Sequence, residues 1–293
     1  AADEDSLLIS FARSGNSPES LEAMRIGLEC YPRMKHLVIT CNPDGQLAQL
    51  ARSRSDRAHL ITLHKATNDE GLAMTSSYSS MVVAALGLGH LWHSQTLEAY
   101  ANITEQLAKA GESLLVRYAD FLQQIADGKF NRVFYLGNGT LEGAAIESAL
   151  KIQELTVGKI IAQAGTFLAF RHGPISAITD LSLIVYYLSS EPHRRRYEMD
   201  VIRQLRGAST SLLVCDQCPD NLRDCVDGVI TYDSQKQDTI PDSHKAPLYV
   251  MVGQLLGLFS SLACDLKPDN PPGEVGSYSR VVQGVTIYEY RES

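Results

Sequence analysis

Short apolar runs recur along this chain, and each is followed by a stretch of helical period. Leu7–Ala12, Leu37–Thr40 and Leu60–Leu63 are three such runs; Arg132–Leu136, Leu183–Leu188, Leu213–Cys215 and Val229–Tyr232 follow later. Continuous apolar runs of this length read as buried parallel strands joined by crossover helices. The runs repeat. Leu7 to Leu183 and Leu37 to Leu213 are both steps of 176 residues, and Leu60 is answered by Val229 with a small drift. That period is far too long for a solenoid, so it indicates two α/β domains of one fold. The run at Arg132–Leu136 has a counterpart that would fall before residue 1. The expectation is therefore a first domain lacking its leading strand, helix and Gly-rich loop in this sequence. The segment 95–128 is charged and helical in period, and reads as a link. Boundaries follow at 1–128 for the first domain with its link, 129–265 for the second, and 266–293 for a tail rich in Pro, Gly and Ser.

Composition narrows the class. The 293 residues carry 26 basic and 34 acidic groups for a net charge of −8, with 44% hydrophobic and 20% charged residues. That balance is globular, which excludes disorder. With no basic stripe there is nothing to meet a nucleic-acid backbone. The longest apolar stretches, Ser80–Gly89 and Leu248–Leu262, are interrupted by Gly or polar residues, so no membrane span is expected. The opening Ala-Ala-Asp-Glu-Asp is not a signal peptide. Six cysteines without a dense framework fit reduced thiols in the cytoplasm.

Candidate chemistry lies at strand-to-helix turns. Arg13-Ser14-Gly15-Asn16-Ser17-Pro18 offers an N-cap at Ser17, Pro at the first helical position and hydroxyl donors at a helix start that attracts anions. An ordinary capped βα turn fits the same residues. Asp69 to Ser80 opens an apolar helix with four Ser and Thr75, a second donor cluster or a polar first turn. Gly137-Asn138-Gly139-Thr140 is half of a dinucleotide fingerprint without its acidic partner, so a nicotinamide cofactor is not expected; the loop reads as a structural copy. Glu147, Lys151 and Glu154 share a helical face, which by spacing alone reads as a surface salt-bridge ladder. His172 sits between Phe170-Arg171 and a Gly-Pro turn, where a structural role is the commoner one. Cys215-x-x-Cys218 falls in a repeated strand-end turn and lacks a second pair for zinc. His90-x-x-His93 lacks zincin geometry. Arg194-Arg195-Arg196 reads as a solvated helix start. Neither Ser14 nor Ser17 lies in a nucleophile elbow.

The stretches ISFARSGNSPES (Ile9–Ser20), HLVITCNPDGQL (His36–Leu47), TNDEGLAMTSSYSSM (Thr67–Met81), YLGNGTLEGAAIESALKIQEL (Tyr135–Leu155), FRHGP (Phe170–Pro174) and RVVQGVTI (Arg280–Ile287) resemble, in order, the double sugar isomerase (SIS) proteins of the AgaS type. These are tagatose-6-phosphate ketose/aldose isomerases or galactosamine-6-phosphate deaminases. The resemblance implies two three-layer α/β/α SIS domains, each a parallel sheet flanked by helices. It implies a phosphosugar isomerase/deaminase of amino-sugar catabolism, converting galactosamine 6-phosphate to tagatose 6-phosphate and ammonia. Plain ketose/aldose isomerisation and a non-catalytic sugar-phosphate sensor are the alternatives. By similarity to the isomerase domain of glucosamine-6-phosphate synthase, Arg13, Ser14, Ser17 and Thr75 fall on phosphate- and sugar-binding loops. Glu154 falls on the carboxylate that shuttles a proton between C1 and C2, and Lys151 and Glu147 on its companions. His172 falls on the ring-opening histidine, which in that relative comes from a neighbouring subunit. A homodimer or larger homo-oligomer sharing His172 is therefore implied, with Phe167, Leu168 and Phe170 expected to be apolar interface residues. Gln283 stands where the synthase has a Lys. No metal or organic cofactor is implied.

Overall fold

The computed structural model describes residues 5–93, 96–232, 240–273, 284–288 and 290. The chain divides into two compact units, one built on the residues up to Ala85 and the other running from Leu86 to Gly273.

In the first unit the strands β1 (Leu7–Ala12), β2 (Lys35–Thr40) and β3 (Ala58–Thr62) form a parallel sheet in chain order. The crossovers are α1 (Pro18–Cys30) and α2 (Gln46–Ser53), which bury Leu21, Met24, Leu28, Leu47 and Ala51 against Val38 and Ala58. Arg57 braces the end of α1: its guanidinium donates to the carbonyl of Leu28 in the last turn, which a helix C-terminus leaves unpaired, and to those of Tyr31 and Pro32 just beyond. The long apolar helix α3 (Ser76–Trp92) starts in this unit, which ends within it at Ala85.

The second unit has five parallel strands: β4 (Arg132–Gly137), β5 (Ile161–Gly165), β6 (Ser182–Tyr187), β7 (Thr210–Cys215) and β8 (Gly228–Thr231). Their order is β5-β4-β6-β7-β8. The run β6-β7-β8 repeats β1-β2-β3 in order and direction, as the 176-residue repeat predicts. Alternate side chains point to opposite faces. Val133, Tyr135, Leu183, Val185, Tyr187, Leu212 and Val214 pack under α4 (Leu97–Asp127), α5 (Thr140–Thr156) and α8 (Ala246–Ala263). Phe134, Leu136, Ile184, Tyr186 and Leu213 pack under α6 (Phe167–Arg171) and α7 (Pro192–Gln204). With helices on both faces, β6 is buried along its whole length, which explains its lack of polar alternation.

One segment differs from its sequence reading, and a second gains detail. The stretch read as a link is α4, whose Leu107, Leu114 and Leu122 are buried in the core of the second unit. The stretch Leu248–Leu262, with its Gly and polar residues, lies in α8, which spans 18 residues with mean hydropathy 1.5, long and apolar enough to cross a membrane, and is 56% buried within the protein. Its glycines are packing positions, as follows.

Candidate active site

Helix α5 carries the proposed proton-handling groups. It starts at Gly139, whose φ of 60° and ψ of −127° suit glycine, and ends at Val157 in the left-handed region. Its Ala144, Ala145 and Ala149 are small enough to bring it down onto the sheet, and α8 closes over it. A Cβ at Gly253 of α8 would lie 2.3 Å from the Ser148 Cβ, and one at Gly257 would lie 3.2 Å from the Lys151 carbonyl oxygen. These two glycines let the helices meet closely enough to enclose the Lys151 side chain, which is 1% exposed. Ser148 Oγ satisfies itself on the Ala144 carbonyl at 2.7 Å and lies 2.8 Å from the Tyr187 hydroxyl.

A buried ammonium needs anionic partners. Lys151 Nζ donates to Glu154 Oε2 at 2.6 Å and lies 3.1 Å from Glu147 Oε1. The surface-ladder reading of this spacing is thus corrected: Lys151 is interior, and only Glu154, at 33%, is substantially open. Burial pushes the Glu147 carboxyl above the usual carboxylate range; Lys151 opposes that shift and Glu154 adds to it. Glu154 accepts through one oxygen only. Its Oε1 receives no hydrogen bond among the described residues.

His172 is the C-cap of α6 and is exposed. Its backbone N–H donates to Ala169, and its imidazole makes no hydrogen bond among the described residues. The structure does not join it to the Lys151 cluster by any hydrogen bond or ion pair among those residues. The apolar residues beside it correct one expectation. Phe167 and Phe170 are 0% and 3% exposed, packed under their own sheet against Tyr186 and Phe134. Only Leu168, at 40%, is left on the surface.

The first unit holds the other candidates. Gly15 turns the chain after β1 with φ 66°. The Asn42 side chain donates to the Ser14 carbonyl at 2.9 Å, and Asn16 Oδ1 accepts from the Gln46 N–H at 3.0 Å, so the turn is fixed from outside. Ser14 Oγ accepts from the Asn16 N–H at 3.3 Å. Ser17 is the N-cap residue of α1 in extended conformation, as its place before Pro18 predicts, yet its hydroxyl makes no capping bond. Arg13 is buried, and its guanidinium donates to the carbonyls of Gly71 at 2.9 Å and Leu72 at 3.2 Å. Thr75 donates from N–H and hydroxyl to Asp69 at 3.0 and 3.1 Å. The N–H and hydroxyl of Ser76 and of Ser77 also donate to that carboxylate. Burial raises the Asp69 pKa, but these bonds outweigh it and hold the group at about 2.

Sequence reasoning missed Asp69, because it precedes the helix it caps by seven residues, outside any capping-box spacing. It also missed a second buried lysine. Lys245, 1% exposed, donates to Asp216 Oδ2 at 2.6 Å, Asp242 Oδ1 at 2.7 Å and Ser190 Oγ at 3.2 Å. The Ser190 N–H and hydroxyl also bond Asp242, at 2.9 and 2.7 Å. Glu198 takes the Ser189 N–H at 2.8 Å, its hydroxyl at 2.9 Å and the Asn138 amide at 2.6 Å. Thr140 is bonded to the Asp242 carbonyl. The Gly137–Thr140 loop is therefore tied to its own unit by Asn138 and Thr140. Burial raises both thiols of the Cys215/Cys218 pair, Cys215 to about 12, so neither is a ready nucleophile. Gln283 lies outside the described residues.

Parallel sheets flanked by helices match the fold of the phosphosugar isomerase (SIS) class. No family model matches the chain. It is 38% identical over 298 residues to AgaS of Streptomyces coelicolor, an alignment covering 100% of this chain and 74% of that one. It is 36% identical to the D-galactosamine-6-phosphate deaminase AgaS of Escherichia coli, covering 97% and 72%. Among solved structures it resembles the tagatose-6-phosphate ketose/aldose isomerase of Escherichia coli, with TM-score 0.83, 32% identity and coverage of 98% and 72%. The C-terminal domain of glucosamine-fructose-6-phosphate aminotransferase from Francisella tularensis shares the fold at TM-score 0.70 and 20% identity, covering 90% and 73%. The chain belongs to the AgaS family.

Proposed function

We propose that this protein converts galactosamine 6-phosphate to tagatose 6-phosphate and ammonia. The observation that carries the reading is Glu154: a half-satisfied, partly open carboxylate fixed by a buried ammonium, in a chain of the AgaS family. His172 assists ring opening by moving the proton on O5. Glu154 then takes the proton from C2 of the open aldehyde, giving an enolamine, and returns it to C1. The product is a ketimine at C2, and water hydrolyses it to the ketose and ammonia. Lys151 is too deeply enclosed to meet substrate. It orients Glu154 and offsets its charge, and Glu147 is the second carboxylate beside the ammonium. The Ser14–Ser17 turn is proposed to hold the phosphate, supported by the uncapped Ser17 hydroxyl. Arg13 and Thr75 serve that turn by fixing its surroundings, Arg13 through the Gly71 and Leu72 carbonyls and Thr75 through Asp69. No metal or organic cofactor has a part in these steps.

The test is an assay of ammonia release from galactosamine 6-phosphate and glucosamine 6-phosphate, with ketose 6-phosphate followed in parallel. Ketose formation without ammonia, from a substrate bearing a hydroxyl at C2, would favour plain isomerisation, the activity in the name of the Escherichia coli structural neighbour. No turnover of any phosphosugar, with phosphosugar binding retained, would favour a sensor.

We further propose a cytoplasmic homo-oligomer in which His172 acts on a neighbouring subunit's substrate. The exposed, unbonded imidazole supports this. Mixing inactive Glu154→Gln and His172→Ala proteins should restore part of the activity once subunits exchange; exchange without recovery rules out sharing.

A further inference from the structure

We propose that Asp69 is a positioning residue for phosphosugar binding. It occupies the start of α3 as a built-in anion and so directs the incoming phosphate to the neighbouring Ser14–Ser17 turn. The inference rests on the reading of that turn given above. Both segments belong to the first unit.

A helix N-terminus with free N–H groups and serine hydroxyls draws anions. The start of α3 would be such a place: Thr75, Ser76 and Ser77 aim three N–H groups and three hydroxyls at one point. Asp69 fills that point. A hydroxyl has a single proton to donate, so while Thr75 Oγ1 is bonded to Asp69 it offers a phosphate only lone pairs. The closed loop from Asp69 to Thr75 is pinned again at its middle, where Arg13 holds the Gly71 and Leu72 carbonyls. Arg13 is bonded covalently to Ser14, so the same tie sets the spacing between the α3 start and the phosphate turn. At α1, by contrast, the Ser17 hydroxyl caps nothing. One serine-rich turn is thus filled from within the chain, and the other is left for substrate. Asp69 reaches no reacting atom in this scheme; it acts through the loop it closes.

Asp69→Asn tests this. The amide nitrogen would face donors with no lone pair to offer them, so the loop would open with little change in volume. The expected result is a KM for the sugar phosphate and an inhibition constant for inorganic phosphate that both rise at least tenfold, with kcat within about threefold. Ser76→Ala, which removes one side-chain donor and spares the fold, should raise both by about two- to threefold. Asp69→Glu should recover part of the loss. If Asp69→Asn is folded and both constants stay within twofold, or if kcat falls while they hold, the proposal is overturned. A drop in melting temperature alone, with unchanged constants, overturns it as well by leaving a purely structural role. Ser17→Ala separates the two levels. Unchanged constants there defeat the phosphate reading itself, whereas a rise there without one in Asp69→Asn defeats only the role of Asp69.

Discussion

Two lysines in the second unit are equally buried, and each clasps two carboxylates. Lys151 holds Glu147 and Glu154; Lys245 holds Asp216 and Asp242. Their partners differ. The side chains of Asp216 and Asp242 are 16% and 13% exposed, and Asp242 also takes the N–H and hydroxyl of Ser190. Burial works against the charge on Asp242, yet the bonds from Lys245 and Ser190 win and hold its pKa below the usual carboxylate range. Around Lys151, Glu154 is 33% exposed and one of its oxygens is unused. A buried lysine–carboxylate cluster is therefore not by itself a sign of chemistry. What separates the two is how far a carboxylate opens to a ligand: 33% for Glu154 against 16% and 13% for Asp216 and Asp242.

The sharpest way to break that comparison is to remove one group from each cluster. Glu154→Gln keeps shape but not basicity; turnover should fall by at least ~10²-fold with substrate binding largely kept, read by steady-state kinetics and a binding titration. Near-normal turnover would remove Glu154 from the mechanism. Lys245→Met should do the reverse. Taking the ammonium from two half-buried carboxylates costs up to about 3–5 kcal/mol, seen in denaturant melts, while kcat per folded molecule stays unchanged.

A smaller effect is expected in the first unit. Ser17→Ala should raise KM for the phosphosugar by about tenfold, the scale of one hydrogen bond to a charged group. Stability should hold, because the hydroxyl makes no capping bond whose loss would cost about 1 kcal/mol. A stability loss with unchanged KM would mean that Ser17 is only a cap.

His36 supplies the third kind of buried base, one with no carboxylate. It is 1% exposed, and neither ring nitrogen has a partner. Burial, then Arg57 and Arg54, lower its pKa from 6.5. The folded state resists a proton that the unfolded chain accepts, so its contribution to stability is present above pH 6.5 and is lost as the pH falls below that value. The loss is at most about 1.4 kcal/mol per pH unit from this group. His36→Gln should flatten the stability profile below pH 6.5 in thermal melts. A profile as steep as the parent's would place the acid sensitivity elsewhere.

The strands were legible because fully buried runs such as Leu183–Tyr187 leave no polar alternation, and because the two sheets repeat the same order. The Lys151 cluster was legible as a spacing but not as a site. Whether a charged helical face meets water depends on what packs over it, and that is set about a hundred residues away by Gly253 and Gly257. The apolar residues around His172 misled for the same reason: a Phe-rich segment looks alike whether it faces a partner or its own sheet. Lys245 and Asp216 come together only because β7 ends beside the start of α8, which no local pattern announces.

The close crossing of α5 and α8 has a consequence for how the protein can diversify. A single methyl group at Gly253 has nowhere to go, since Ser148 already stands within 2.3 Å of that point. In a random library selected for new sugar substrates, position 253 should return glycine in every survivor that retains Ser148. Adaptation to a new sugar is thereby channelled toward the loops, while the helix carrying the base is inherited nearly intact.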